Sequence, residues 1–273
     1  MSSTLLSKRL LCALFLCLSC PLMADQVSDL TEVYTASGVP EQDRAPPTGI
    51  HGVLGAGLFN FKKIIGDADR KTVPLPIFVL TYGDRAYWSM GGGGVWFPSI
   101  DRSLRLGVGV KLHPGWKRND DAMLAGMEDR GTSLDGSINL LWRTPVVNIG
   151  LNYYHDLLNV SDGSSVTLRL SHNFLLGPKF RVTPSAGWEW QSAELVDYYY
   201  GVRTSEALPS RPAYQGRGTV NMSLGVNGAY QMSREWSLLG GLHNTRLGDG
   251  IADSPIVPHR STNLLFFGAG WHI

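Results

Sequence analysis

From Ile50 onward the chain alternates apolar and polar positions in one segment after another. In Ser103 to His113, Leu104, Leu106, Val108, Val110 and Leu112 face one way, and Ser103, Arg105, Gly107, Gly109 and Lys111 face the other. In 163–174, Val166, Leu168 and Leu170 oppose Thr167, Arg169 and Ser171. In 217–230, Val220, Met222, Leu224, Val226 and Tyr230 oppose Asn221, Ser223 and Asn227. The last thirteen residues, 261–273, set Leu265, Phe267, Ala269, Trp271 and Ile273 on one side of an extended chain. Side chains of a strand alternate faces with period two, so each segment predicts a β-strand with one apolar face. Further candidates are 50–61, 73–82, 85–97, 131–143, 145–156, 179–190 and 235–246.

Strands of a soluble sandwich average about five or six residues. A tilted strand of about nine to eleven residues crosses a bilayer, which fits the lengths here. The polar face carries Arg, Asn, Thr and Gly on strand after strand, as a wet lumen requires. Trp188 with Trp190, Tyr153 with Tyr154, and Trp236 stand at strand ends, where aromatic belts form. The pattern predicts an all-β fold, a transmembrane antiparallel β-barrel closed by its C-terminal strand. Even strand numbers are the rule for such barrels, yet eleven segments are visible. The expectation is twelve strands, with ten as the alternative, and the discrepancy falls around 61–97. Counting back from a periplasmic C-terminus puts 246–261, 190–217, 156–163 and 113–131 outside, and 230–235, 174–179 and 143–145 inside.

The N-terminus changes the picture by adding an export signal. Lys8 and Arg9 precede the apolar run Leu10 to Leu18, which is too short to span a bilayer as a helix. Residues 1–24 are expected to be a signal peptide cleaved ahead of Asp25. An uncleaved anchor or a lipid on Cys20 is the competing reading. Residues 25–48, with Pro40, Pro46 and Pro47 and few apolar positions, read as a flexible periplasmic segment, leaving 49–273 for the barrel. Cys12, Cys17 and Cys20 all lie within the signal, so the mature chain would carry no disulfide or thiolate site. Losing Lys8 and Arg9 takes the formal charge from +1 to −1, which offers nothing to nucleic acid. Thirty-two glycines, eight tryptophans, ten tyrosines and nine phenylalanines suit a barrel wall that bends and has aromatic belts.

Several motifs carry a family resemblance. They are Asp197-Tyr198-Tyr199-Tyr200-Gly201-Val202 followed by Ala213-Tyr214, and Gly248-Asp249 followed by Ala252-Asp253-Ser254-Pro255-Ile256-Val257. Val73-Pro74-Leu75-Pro76 with Tyr82, and Glu235-Trp236-Ser237-Leu238, complete the set. In this order and spacing the chain resembles the MipA/OmpV family of outer-membrane proteins. It departs from that family at its terminus, Trp271-His272-Ile273, where an aromatic residue usually stands last. The resemblance implies a non-enzymatic scaffold in the outer membrane, among lipid and lipopolysaccharide, with a lytic transglycosylase and a murein synthase as partners. A narrow pore, a solute- or antibiotic-responsive receptor and an adhesin are the alternatives it carries. The motif residues themselves read either as loop structure, with Tyr198 to Tyr200 anchored at the membrane surface, or as loops folded inward over the mouth.

The chemistry-bearing residues are sparse. His259-Arg260-Ser261 has the spacing of a lipid hydrolase's histidine and serine, but no acid or amide follows to orient the histidine. The other histidines show no metal-ligand spacing. Asp120, Asp121, Glu128, Asp129 and Asp135 read as a solvated loop face or a cation-attracting one. Arg105, Arg143, Arg169 and Arg181 would project inward, where Asp135 and Glu189 are candidate partners. No catalytic residue, cofactor or metal is assigned.

Overall fold

The computed structural model describes residues 49–66, 70–98 and 103–273; the expected signal (1–24) and periplasmic segment (25–48) lie outside them. Among the described residues the chain forms β1 (Ile50–Lys62), β2 (Arg70–Tyr82), β3 (Ala86–Ser89), β4 (Gly92–Trp96) and β5 (Leu104–His113). β6 (Ser133–Arg143), β7 (Asn148–Asp156), β8 (Ser164–Ser171), β9 (Phe174–Leu176) and β10 (Phe180–Gln191) follow. β11 (Thr219–Gln231), β12 (Trp236–Arg246) and β13 (Ser261–His272) complete the wall. Every neighbouring pair is antiparallel, and β13 pairs with β1 from Val53↔His272 to Phe61↔Leu264, which closes the sheet on itself. A ring of strands is the arrangement that lets a sheet's backbone sit in hydrocarbon. Twelve strands form the ring, and β9 pairs only with β10.

The strand hidden from the pattern lies in 85–97, which is two short strands joined at Met90-Gly91. The glycine run Gly91 to Gly94 has no side chains from which to read a period. It is also sterically required, since a Cβ on Gly94 would stand 2.5 Å from the Val108 carbonyl oxygen of β5. β9 has a different origin. It continues the register of β8 along β10, from Ser171↔Ser185 to Phe174↔Val182. Between them Pro184 faces His172 and has no N–H to return the bond it accepts from the His172 amide.

The faces sort as the alternation predicts. Leu104, Leu106, Val108, Val110, Met222, Leu224, Leu265 and Phe267 are exposed around the outside. Asn139, Asn152, Thr183, Ser185, Asn221 and Asn227 are buried inside. Tyr153, Trp188, Trp190 and Trp236 stand on the outer surface as belt residues, but Tyr154 points inward. The lumen is not uniformly polar. Phe59, Phe61, Leu75, Ile77, Leu239, Leu264 and Phe266 form an apolar cluster along the inside of β1, β2, β12 and β13. Phe59 and Phe266 stack across the closing seam at 5.5 Å, so aromatic packing reinforces the ladder where first and last strands meet.

Candidate functional site

The long loops gather at one end and build a second core over the mouth of the barrel. Ile65 follows β1; Trp116, Leu124 and Met127 come from the loop between β5 and β6. Leu195, Val196, Tyr199, Tyr200 and Val202 come from the loop after β10, and Leu247, Ile251, Ile256 and Val257 from the loop before β13. Segments distant in sequence thus bury one another's apolar side chains in a single cluster.

The tyrosine motif is the centre of this cap. Helix α1 (Ala193–Tyr200) starts at Ser192, whose side chain accepts from the Leu195 amide, and ends at Gly201. Tyr199 is buried, donates to the Gly131 carbonyl oxygen at 3.2 Å and stacks on His113 at 4.4 Å. The Tyr198 hydroxyl accepts from the Gly131 amide at 2.8 Å. The Asp197 carboxylate accepts from the Gly216 amide at 2.7 Å, and any Cβ at Gly216 would collide with the Asp197 backbone at 2.4 Å. Val202 and Tyr214 exchange backbone hydrogen bonds, and the Tyr214 hydroxyl donates to the Gly250 carbonyl in α2 (Asp249–Ala252). Ser254 donates to the Tyr200 carbonyl at 2.6 Å. The motif residues are therefore structural members of loops folded over the mouth; they do not anchor a loop at the membrane surface.

An ion pair locks this core. Arg130 donates to both oxygens of Glu206, at 3.1 and 2.9 Å, and both side chains are 2% exposed. Arg130 also donates to the carbonyls of Tyr198 and Glu128 and lies over the Trp116 ring at 5.1 Å. Glu206 accepts further from the amides of Glu128 and Arg203. Burial pushes the Glu206 carboxyl pKa up, but these donors and the Arg130 charge outweigh it and hold the value down to about 2. Nothing in the sequence separates Glu206 or Arg130 from an ordinary loop charge, because their partner is 76 residues away.

The acidic loop residues disperse among cations. Asp121 caps the 3₁₀ turn Ala122–Leu124 and pairs with Lys63 at 3.6 Å; Glu128 pairs with Arg203, and Asp129 with Arg118 at 3.3 Å. Among the described residues no three His, Cys, Asp or Glu side chains gather as metal ligands. Asp135 faces His113 at 3.4 Å and accepts from Ser133, so its partners are not the lumen arginines. Arg105 donates to the Asp84 carbonyl and lies over Trp96, while Arg169 donates to Ser185 at 3.4 Å.

No hydrogen bond joins His259 to Ser261; the Nε2 atom of His259 is buried without a partner. A serine and histidine do meet on the outer face, Ser164 Oγ with His155 Nδ1 at 2.9 Å, with the Tyr153 hydroxyl at 3.2 Å. Among the described residues no carboxylate orients that imidazole, so the pair is a cross-strand hydrogen bond without the third member of a hydrolytic triad.

Beneath the cap the lumen retains a cavity of about 80 Å³, roofed by Ile64, Tyr200 and Leu247. Its walls come from β5, β7, β8 and β10 to β13, and the Lys111 ammonium sits over the Tyr154 ring at 4.2 Å.

Comparison with known proteins agrees with this architecture. The family model described as MltA-interacting protein MipA matches residues 54–273. The chain is 26% identical over 219 residues to the MltA-interacting protein of Escherichia coli, covering 79% of this chain and 87% of that one. It is 33% identical over 144 residues to the outer membrane protein OmpV of Vibrio cholerae, covering 53% of this chain and 55% of the relative. Among solved structures, an outer membrane channel from Pseudomonas putida is similar with a TM-score of 0.45 and 16% identity, covering 86% of this chain and all of that one.

Proposed function

This chain belongs to the MipA/OmpV family of outer-membrane β-barrels, and from that premise we propose that it is a non-enzymatic interaction protein rather than an open diffusion pore. The observation that carries the reading is the cap. A core of buried side chains from four loops, pinned by Arg130 and Glu206, covers the outer mouth. A pore needs a continuous wet path; here apolar packing and a buried ion pair stand across it. The useful surfaces are then the two ends of a rigid cylinder.

The partner is a murein-remodelling enzyme on the periplasmic side. This is supported by the name of the Escherichia coli relative, an MltA-interacting protein, and by a lytic transglycosylase being the partner class that the family resemblance implies. Turns such as that around Thr144 to Val147 are short and self-bonded, Thr144 accepting from the Val146 and Val147 amides. Such turns give a partner little to grip, so residues 25–48 supply much of the contact.

Two measurements test the reading. The full-length barrel in a planar bilayer passes no steady current. Immobilised in detergent, it retains a purified lytic transglycosylase and loses it when 25–48 is deleted. A steady ohmic conductance from the intact barrel would reject the closed-cylinder reading. Absence of capture by the full chain would reject the scaffold.

A further inference from the structure

The wall is incomplete on one side. β3 and β4 are short, and their hairpin turns at Met90-Gly91. β2 has β3 beside it only between Val79↔Ser89 and Tyr82↔Ala86, whereas β1 accompanies it as far as Lys62↔Arg70. β5 likewise continues along β6 to His113↔Ser133, past the end of its ladder with β4 at Gly93↔Val110. Among the described residues no ladder joins β2 to β5 between the hairpin tip and the cap. Two strand widths of wall, about 10 Å, are missing there.

The sequence of β2 suits this gap. Backbone groups of a strand bond alternately to its two neighbours. Gly52 and Ile273 exchange backbone hydrogen bonds at 3.2 and 3.1 Å, which turns Gly52 toward β13 and Val53 toward β2. Val53 lies opposite Val79, so the odd-numbered residues of β2 bond to β1. The even-numbered ones face away from β1, toward β3 and then, nearer the cap, toward the gap. Pro74 and Pro76 hold two of these positions. Proline has no N–H, so at both places the donor that would be stranded in hydrocarbon does not exist. Prolines on open edges serve the same end in soluble sheets.

The gap lies at the level of lipid. On the outer face Leu58 is opposite Pro74 and Leu54 opposite Phe78. Leu54 and Leu58 are exposed, as are Val108, Val110 and Leu112 on the β5 flank. Polar side chains begin one step nearer the cap, where Asn60 donates to Thr72 Oγ1 and accepts from Arg70, both at 2.8 Å. On the inner side stand Leu75 and Ile77, part of the lumen's apolar cluster with Phe59, Phe61 and Phe266. Met90 packs against that cluster from the hairpin tip. Apolar side chains therefore lead from the outer face, past the gap, into the lumen.

We propose that this gap is a lateral entry for one acyl chain of a membrane lipid. The chain passes between β2 and the hairpin tip and lies against Leu75, Ile77 and Phe59. It stays in apolar surroundings throughout, whereas an ion or a sugar would lose its hydration on the same route. The cap covers the end of the barrel and leaves this side approach untouched.

Photolabelling tests the assignment. The full-length barrel is refolded into phosphatidylcholine vesicles containing a trace of phosphatidylcholine with a diazirine midway along one acyl chain. After illumination, protein of folded mobility on unheated gels is digested and its labelled residues are mapped by mass spectrometry. Leu75 and Ile77 are labelled along with the outward Leu58 and Val110. The lumen residues Asn152 and Thr183 on the opposite wall are labelled at least about tenfold less. Met90→Trp fills the foot of the gap, so labelling of Leu75 and Ile77 falls about tenfold while that of Leu58 and Val110 is unchanged. The proposal fails if the parent is labelled at outward residues alone, if Asn152 and Thr183 are labelled as heavily as Leu75, or if folded Met90→Trp matches the parent. Labelling of Leu75 by a photoreactive free fatty acid and not by the phospholipid would overturn the assignment to a membrane lipid. No periplasmic partner takes part in the test, so its failure and that of the scaffold reading are separate results.

Discussion

The ring of Tyr199 lies against that of His113 at 4.4 Å, joining the middle of the tyrosine motif to the last residue of β5. The contact couples two structures that the chain builds separately, a loop core above and a strand wall below. Tyr199 is 2% exposed and also donates to Gly131, so its removal leaves a cavity and an unpaired carbonyl together. Tyr199→Ala should cost the cap about 3–5 kcal/mol, as large-to-small aromatic deletions do. The wall, closed by its own ladder, should persist. Limited proteolysis should then cut the loops within 114–132 and 192–218 far faster than in the parent, while the barrel keeps its folded mobility on unheated gels. Equal cleavage rates would show that the stack holds nothing.

Arg130 and Glu206 make a sharper case, since both are buried and hydrogen-bonded at every oxygen and at several nitrogens. Removing one partner strands a charge in apolar surroundings, at a cost of about 3–5 kcal/mol. Arg130→Met alone should therefore loosen the cap more than Arg130→Met combined with Glu206→Met. Hydrogen exchange of the loop amides measures both. Additive effects in the double variant would contradict a coupled pair.

The same carboxylate gives the cap a pH dependence of known sign. The Glu206 pKa lies below its ordinary value of 4.5, at about 2 in the folded cap. Its contribution is thus fully present above pH 4.5 and is lost as pH falls from there toward 2. Loop exchange should accelerate over that window in the parent. In Glu206→Gln the step assigned to this group should be missing, with a looser cap already at neutral pH.

The glycine hairpin of β3 and β4 makes a prediction about assembly. A methyl at Gly94 would meet the Val108 oxygen at 2.5 Å and the Tyr87 hydroxyl at 2.8 Å. Gly94→Ala should separate β4 from β5 and sharply lower the yield of folded barrel in vesicle refolding. A normal yield would mean that the two strands can move apart at little cost.

Outer-face substitutions should follow depth in the membrane. Phe267 stands near the middle of β13 with 62% of its surface exposed. Phe267→Arg should cost about 2–4 kcal/mol in reversible denaturant refolding into vesicles, the penalty for arginine at the midplane of a barrel wall. Phe267→Leu should change it little.

The period-two alternation from Ile50 to Ile273 was enough to establish the barrel, its outer face and the clustering of long loops at one end. Alternation is a local property, and hydrocarbon outside the wall forces it on each strand in turn. It failed where side chains are missing, at Gly91 to Gly94, and where a proline interrupts the ladder, at Pro184. The motif tyrosines were visible as a pattern, but their burial over the mouth was not. Only the tertiary structure decided the pairing of Arg130 with Glu206, the inward turn of Tyr154, the apolar seam of Phe59 and Phe266, and the unsatisfied oxygen of Gln191. Each is a meeting of residues remote in sequence or a consequence of enclosure. Nothing local selects such partners until the closing ladder brings the strands around and the loops come to rest on one another.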